Sequence, residues 1–146
     1  MRKYRKYPGC AIVLSLTLGC LGALLVITPF TASAQEVQSV RPEDLKQMIE
    51  NKTDMMIVDN QPKEAYDIEH ISGAMNFPWA MQIKGPVNLP RNKLLVLYCA
   101  CAHEEDSTDM AEKLIKEFGY RNIKVLQGGL LRWVELGYPM ERREKK

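Results

Sequence analysis

The chain has 146 residues, enough for one domain with a single hydrophobic core but too few for two separate cores. It carries 20 basic and 18 acidic residues, which gives a formal net charge of +2. The basic residues form no cluster within the predicted domain, and the charged tail at residues 141–146 mixes both signs. This balance excludes the basic surface that nucleic-acid binding requires, so we expect no nucleic-acid partner.

Residues 1–34 have the layout of a secretion signal. Four basic residues among the first six precede an uncharged apolar run at residues 11–30, and small residues at 32–34 provide a cleavage site. We predict cleavage after Ala34 and an exported protein in a bacterial periplasm. An uncleaved membrane anchor is the alternative, because the run approaches the length that spans a bilayer. We expect membrane contact only through this segment.

Two of the four cysteines, Cys10 and Cys20, lie in the predicted signal. Its removal also leaves 16 basic and 18 acidic residues, so the mature net charge is −2. The remaining Cys99 and Cys101 are too close in sequence to crosslink distant parts of a fold. In an oxidising compartment this spacing indicates chemistry rather than scaffolding.

We divide the mature chain into a linker at residues 35–40, a domain at 41–140 and the charged tail. Pro42 and the acids after it predict the first turn of a helix, and a continuous apolar run at residues 55–58 predicts a buried strand ending at Asp59. Weaker signals predict a short helix at 62–67, a brief strand at 73–78 and a helical turn at 79–83.

The strongest strand signal is the apolar run at residues 94–98. Asp106 or Ser107 is the predicted cap of the helix that follows, and Gly119 is its predicted end. A buried strand at residues 123–126 and a last helix at 130–136 complete the pattern. The alternation predicts an α/β fold with a parallel sheet of about five strands and helices on both faces.

Three segments in this order resemble the rhodanese superfamily. Residues 59–66 and 70–74 are similar to its Asp-x-Arg, Glu-Tyr and Gly-His-Ile-x-Gly-Ala pattern, although Gln61 replaces the usual arginine and Glu69 the usual glycine. The strand at 94–98 with Cys99 is similar to its active-site strand and cysteine. The third segment contains residues 126–129, Trp133 and residues 137–139.

The resemblance implies a sulfurtransferase that holds sulfane sulfur as a persulfide on a loop cysteine. A loop with inward backbone N–H groups before a helix N-terminus stabilises such an anionic sulfur. The predicted active-site loop follows the nucleophile and consists of Ala100, Cys101, Ala102, His103, Glu104, Glu105, Asp106 and Ser107. Asp59 and His70 are expected to support the site structurally.

The position relative to the preceding strand and the position relative to the following helix identify different cysteines as the nucleophile. Cys99 directly follows the strand, as the family cysteine does, whereas Cys101 stands the usual six residues before Ser107. We favour Cys99, because a strand of fixed length delivers its last residues to the ligand-binding edge of the sheet and loops absorb insertions. Cys101 is then an alternative nucleophile, a resolving thiol, or a small buried residue without a joint role.

The loop carries three acids and lacks the family's thiosulfate-binding arginine. Carboxylates near a thiolate oppose an anionic donor, so we expect weak activity with thiosulfate, unless these acids only serve the helix N-terminus. The expected partners are a small sulfur donor or acceptor, or a protein thiol or persulfide. Cys99, Cys101 and His103 lack an obvious fourth ligand, so no metal and no cofactor is predicted.

Two other functions stay open from the sequence. One is a periplasmic thiol–disulfide redox protein that uses Cys99 and Cys101 together. The other is a non-catalytic rhodanese-like binding module, because a fold alone does not grant activity.

Overall fold

A computed structural model describes residues 36–143, in which strands and helices alternate along the chain. In chain order the elements are β1 (Gln38–Val40), α1 (Pro42–Glu50), β2 (Met55–Asp59), α2 (Lys63–Ile68), β3 (Glu69–Ile71), β4 (Met75–Asn76), β5 (Leu94–Tyr98), α3 (Glu105–Lys116), β6 (Ile123–Leu126), α4 (Gly129–Glu135) and β7 (Met140–Arg142). The predicted signal segment and the last three residues of the tail lie outside the described residues.

The central sheet has five strands in the order β1-β6-β5-β2-β4, and every neighbouring pair is parallel. β5 lies in the middle, paired with β2 from Leu94 to Tyr98 and with β6 from Leu95 to Leu97. Its continuous apolar sequence fits this place, because a central strand of a parallel sheet is covered on both faces. The predicted α/β fold is confirmed.

The sheet separates two hydrophobic clusters. On one face, Leu45 of α1 and Trp133 of α4 pack against side chains of β5 and β6. On the other face, Met110 and Leu114 of α3 pack together with the chain between β4 and β5, represented by Leu89. The helices therefore cover both faces, and α3 is the helix that follows β5 at the candidate loop.

Three short strands lie where the sequence predicted none. One of them, Glu69–Ile71, directly follows α2. Gln38–Val40, within the predicted linker, pair in parallel with β6 as an edge strand. Met140–Arg142, of which two residues belong to the predicted tail, pair with β3 in a separate antiparallel sheet. Each of these strands has three residues, of which at most one is buried, so none carries the apolar run by which a strand is recognised in a sequence.

Two local predictions were wrong. Neither Asp106 nor Ser107 caps α3, because the helix begins at Glu105 and its cap is Glu104, which has the left-handed φ of 54°. Residues 79–83 form no helical turn. Tertiary contacts hold this segment instead, since the Trp79 N–H donates to the carbonyl of Asn60 at 3.0 Å and its indole N–H to Asp109 at 2.6 Å.

No helix within residues 36–143 is both long and apolar enough to cross a bilayer.

Candidate active site

Cys99 directly follows β5 and is only 1% exposed. The strand delivers it to the carboxyl edge of the sheet, where ligands bind in open α/β folds. Its carbonyl oxygen accepts the N–H of Leu130 at 2.9 Å, so the first turn of α4 fixes its backbone. Gly129 permits this contact, because a Cβ at this position would lie 2.4 Å from the same carbonyl oxygen.

The sulfur of Cys99 has two polar neighbours. The N–H of Cys101 donates to Sγ at 3.4 Å. The thiol itself points to the hydroxyl oxygen of Ser107 at 3.6 Å, and that hydroxyl donates to the carbonyl of Glu104 at 3.1 Å. A buried sulfur with an N–H and a hydroxyl beside it has donors available for its ionised form.

A cavity of about 350 Å³ lies over this loop. Its lining comes from the end of β2 and the beginning of α2 on one side, and from the loop after β5 on the other: Gln61, Pro62, Ala65, Cys99, Ala100, Cys101 and Asp106. The two sides meet because β2 and β5 are parallel neighbours that end at the same edge. Cys99 and Cys101 therefore face one cavity.

The thiol of Cys101 is half-buried, in contrast to the buried thiol of Cys99. Burial raises the pKa of Cys101 to about 12, helped by the hydrogen bond and the charge of Cys99 and opposed by the N–H of Asp106. Cys101 is therefore protonated at neutral pH. The loop provides one N–H to each sulfur rather than a ring of donors around one of them.

The three acids of the loop have different positions. The carboxylate of Glu104 accepts the N–H of Gly128, and that of Glu105 accepts the N–H of His103 at 3.2 Å. The N–H groups of Glu105 itself and of His103 lower the pKa of the Glu105 carboxyl. Only Asp106 lines the cavity. Helix and turn positioning thus accounts for two of the acids, and one remains close to the sulfurs.

Asp59, the last residue of β2, supports the site through hydrogen bonds to residues beside it. Its buried carboxylate accepts the N–H of Gln61 at 2.7 Å, the side-chain amide of Gln61 at 3.0 Å and the hydroxyl of Tyr98 at 2.5 Å. Burial raises the pKa of Asp59, and these hydrogen bonds oppose the rise. Its neighbours are the residue before Cys99 and a wall of the cavity, so it supports both.

His70 is not part of the cavity lining. Its ring stacks on Tyr66, with Nδ1 2.8 Å from the carbonyl of Tyr66 and Nε2 3.2 Å from the carboxylate of Glu141. His70 therefore joins α2 to β7. His103 and Ala102 are exposed, and no group of three or more metal-ligand side chains within residues 36–143 is placed to hold a metal ion.

Sequence reasoning missed one wall of the cavity. Gln61 was noted only as a departure from the family pattern, and Pro62 and Ala65 only as parts of a short helix. The available signal was the pairing of two buried strands, since residues after neighbouring parallel strands meet at one edge. That pairing depends on the strand order, which the sequence alone does not determine.

The chain is similar to known proteins both in sequence and in structure. The family model of the rhodanese-like domain matches residues 41–136. The adenylyltransferase and sulfurtransferase UBA4 of Meyerozyma guilliermondii is 30% identical over 87 residues, covering 56% of this chain and 20% of that protein. The probable adenylyltransferase/sulfurtransferase MoeZ of Mycobacterium tuberculosis is 26% identical over 118 residues, covering 78% and 29%. The chain thus spans less than a third of these relatives.

Solved structures share the fold. The BH2092 protein from Bacillus halodurans superposes with a TM-score of 0.63 at 25% identity, covering 72% of this chain and 77% of that one. A thiosulfate sulfurtransferase from Pseudomonas aeruginosa superposes with a TM-score of 0.60 over 75% of this chain and 21% of that one. At 15% identity the second match bears on the fold alone.

Proposed function

This chain belongs to the rhodanese-like domain family, and we propose that it is a sulfurtransferase that carries sulfane sulfur as a persulfide on Cys99. The observation that carries the proposal is the place of this thiol. It lies at the end of the central strand, beside a cavity, with a backbone N–H and a hydroxyl at its sulfur. Relatives named as sulfurtransferases agree with this class of activity.

The proposed reaction has two displacements. The Cys99 thiolate attacks the sulfane sulfur of a donor, a new S–S bond forms, and the donor leaves with the electron pair of its broken bond. A nucleophilic acceptor then attacks the outer sulfur of the persulfide, and Cys99 Sγ takes back the electron pair as a thiolate. The cycle needs no external oxidant or reductant.

The site has three features that favour the thiolate. The N–H of Cys101 already points at Sγ. The hydroxyl of Ser107 can rotate from the carbonyl of Glu104 to donate to an ionised Sγ, because a hydroxyl hydrogen is free to turn. The N-terminus of the 12-residue helix α3 adds partial positive charge within the same loop.

Charge also supports Cys99 over Cys101 as the first acceptor of sulfur. A thiolate, not a thiol, is the attacking group, and the high pKa of Cys101 leaves it protonated at neutral pH. Cys101 is therefore not the thiol that we expect to attack first.

We further propose that the physiological donor carries less negative charge than thiosulfate, such as a protein persulfide or a small thiol persulfide. None of the seven residues that line the cavity is lysine or arginine, and Asp106 adds a carboxylate. A dianionic donor such as thiosulfate meets repulsion there. Thiosulfate should therefore be used poorly.

Export to the periplasm belongs to the same proposal and is supported by the signal pattern of residues 1–34. Expression of the full chain with a C-terminal tag, followed by fractionation and intact-mass analysis, tests it. We expect a periplasmic species that begins at Gln35. A membrane-bound species of full mass would instead support the anchor.

Mass spectrometry after incubation with cysteine persulfide tests the activity. A gain equal to one sulfur atom on Cys99, lost on addition of cyanide, is the expected result, and Cys99→Ser should abolish it. The closeness of two thiols in one cavity favours a second candidate, a thiol–disulfide redox protein. That function would appear as a loss of two hydrogen atoms without sulfur gain, and a binding module would show neither change.

A further inference from the structure

The two thiols of the cavity differ in accessibility. Cys99 is almost fully buried, whereas Cys101, two residues along the loop, is half-buried and lies in the cavity wall. A small molecule can enter a cavity of about 350 Å³ and reach Cys99. A cysteine on the surface of a folded protein cannot approach such a buried sulfur without bringing its own backbone into the loop.

We propose that Cys101 is a second sulfur carrier, which receives the sulfane sulfur from the Cys99 persulfide and delivers it to a thiol of a folded protein. This inference rests on the proposed function of Cys99. It assigns the two cysteines successive roles: Cys99 accepts sulfur inside the cavity, and Cys101 presents it at the wall.

The step balances without a further reagent. The thiol proton of Cys101 first passes to the anionic outer sulfur of the Cys99 persulfide. The Cys101 thiolate formed in this way then bonds to that sulfur, the S–S bond to Cys99 breaks, and Cys99 Sγ keeps the electron pair of the broken bond. The products are a Cys99 thiolate and a Cys101 persulfide, so one negative charge and every atom are conserved.

The surroundings of each sulfur agree with this direction. The negative charge returns to Cys99, where the N–H of Cys101 donates to Sγ and the hydroxyl of Ser107 can turn from the carbonyl of Glu104 to donate as well. The proton that the step requires is present, because burial raises the pKa of Cys101 and keeps its thiol protonated. The N–H of Asp106 then faces the sulfur that has become the carrier.

The competing step is attack of Cys101 on the inner sulfur. It would release hydrogen sulfide and leave an internal disulfide, which a separate reductant would have to open. A disulfide across one intervening residue closes a small ring, and such rings depart from relaxed disulfide geometry. Attack on the outer sulfur avoids that ring in its product and returns the enzyme ready for another donor.

The experiment compares two acceptors of different size. The mature protein is loaded with cysteine persulfide, and tandem mass spectrometry locates the sulfur on Cys99 or Cys101. Transfer is then timed to cyanide and to a folded protein that carries one exposed cysteine. Cys101→Ser is the test variant, and Met81→Ser, which removes a sulfur from a side chain that is 80% exposed and outside the cavity, is the matched control.

We expect the wild-type protein to carry sulfur on both cysteines. In Cys101→Ser the sulfur should be found on Cys99 alone, and transfer to the protein thiol should fall about tenfold or more relative to transfer to cyanide. Met81→Ser should match the wild type in both transfers, and thermal unfolding should show that both variants are folded.

Two results would overturn the relay while leaving Cys99 chemistry intact: sulfur found only on Cys99 in the wild type, or undiminished protein-thiol transfer by Cys101→Ser. An internal disulfide formed after loading would overturn it as well, in favour of sulfide release. Failure of any variant or the wild type to gain sulfur is a different outcome, because it contradicts the proposed function itself.

Discussion

The hydroxyl of Tyr98 donates a 2.5 Å hydrogen bond to the buried carboxylate of Asp59 and accepts the N–H of Ile71 at 3.0 Å. One phenol thus joins β5, β2 and β3 at the residue before Cys99. Its own pKa is raised by burial and by the charge of Asp59, so it remains a donor at every physiological pH. The position of the reactive sulfur depends on this contact.

The first prediction concerns Tyr98→Phe. Loss of a hydrogen bond to a charged group should lower the free energy of unfolding by about 1.5–3 kcal/mol. Tyr120→Phe is the matched control, because Tyr120 is also buried but donates to a neutral carbonyl, that of Leu89, at 2.8 Å. Loss of this hydrogen bond should lower the free energy of unfolding by about 0.5–1.5 kcal/mol. Urea unfolding of both variants measures the difference, and equal losses would contradict the charged character of Asp59.

The second prediction concerns Ser107→Ala. Without the hydroxyl, the Cys99 thiolate loses one donor, and alkylation of Cys99 by iodoacetamide at neutral pH should slow about three- to tenfold. Thr108→Ala, at the next position of α3, is the control and should alkylate at the wild-type rate. The rate is followed on Cys101→Ser backgrounds so that a single thiol reports. An unchanged rate in Ser107→Ala would exclude this hydroxyl as a donor to the sulfur.

The third prediction concerns the donor. Asp106→Asn removes the carboxylate from the cavity, so kcat/KM with thiosulfate should rise about three- to tenfold. Glu112→Gln is the control, because Glu112 lies on the same helix but is paired with Lys116 and does not line the cavity. Initial rates of thiocyanate formation at low ionic strength measure both. Efficient use of thiosulfate by the wild type would refute the electrostatic argument.

The fourth prediction concerns acid stability. The N–H of Gly73 and the ring of His70 lower the pKa of Glu141 below its ordinary value of 4.5. A carboxyl group with a depressed folded pKa stabilises the fold above the unfolded pKa, and this contribution is lost as the pH falls through the folded value. The apparent Tm of the wild type should therefore decrease below about pH 4.5 more than that of Glu141→Gln.

The control for this pH dependence is Glu117→Gln, which removes an exposed carboxylate from the end of α3. Its Tm should follow the wild type across the acid range. Hydrogen exchange of β7 should report the same loss locally, since Glu141 belongs to that strand. Identical acid profiles for the wild type and Glu141→Gln would show that the contact contributes nothing.

The fifth prediction concerns two glycines with left-handed backbones. Gly129 has φ +51° and no room for a Cβ beside the Cys99 carbonyl, whereas Gly137 has φ +68° and open space. Gly137→Ala should lower the free energy of unfolding by about 1–2 kcal/mol, because alanine is strained in a left-handed backbone conformation. Gly129→Ala should lower it by about 1–3 kcal/mol more, because the added Cβ must also displace the carbonyl of Cys99. Chemical denaturation separates the two, and equal costs would argue against the close approach.

The sequence predicts the parts of the fold that carry strong apolar signals. Leu94–Tyr98, Met55–Asp59 and Ile123–Leu126 are strands as expected, because strands buried on both faces need continuous apolar residues. β1, β3 and β7 were missed, since a segment of three residues with at most one buried side chain becomes a strand only through its partner. The beginning of α3 was missed because Glu104 takes a left-handed conformation that its residue type does not indicate.

For the site, the sequence predicts which residues lie at the sheet edge but not the contacts that each of them makes. The strand-end argument brought Cys99, Cys101 and Asp106 to one edge of the sheet, where the structure has them together. It did not separate Glu104 and Glu105 from Asp106, because the three acids differ only in the backbone groups that each one meets. Which cysteine reacts first remains a prediction for the Cys99 and Cys101 variants.

Near both of its ends, the loop after β5 is hydrogen-bonded to the backbone at the beginning of α4. The Cys99 carbonyl accepts the N–H of Leu130, and the Glu104 carboxylate accepts the N–H of Gly128. The part of the loop between these two hydrogen bonds carries Cys101, and Cys99 lies at its beginning. Such pre-organisation means that the entropy of ordering the loop is spent during folding, so binding of a donor does not have to supply it.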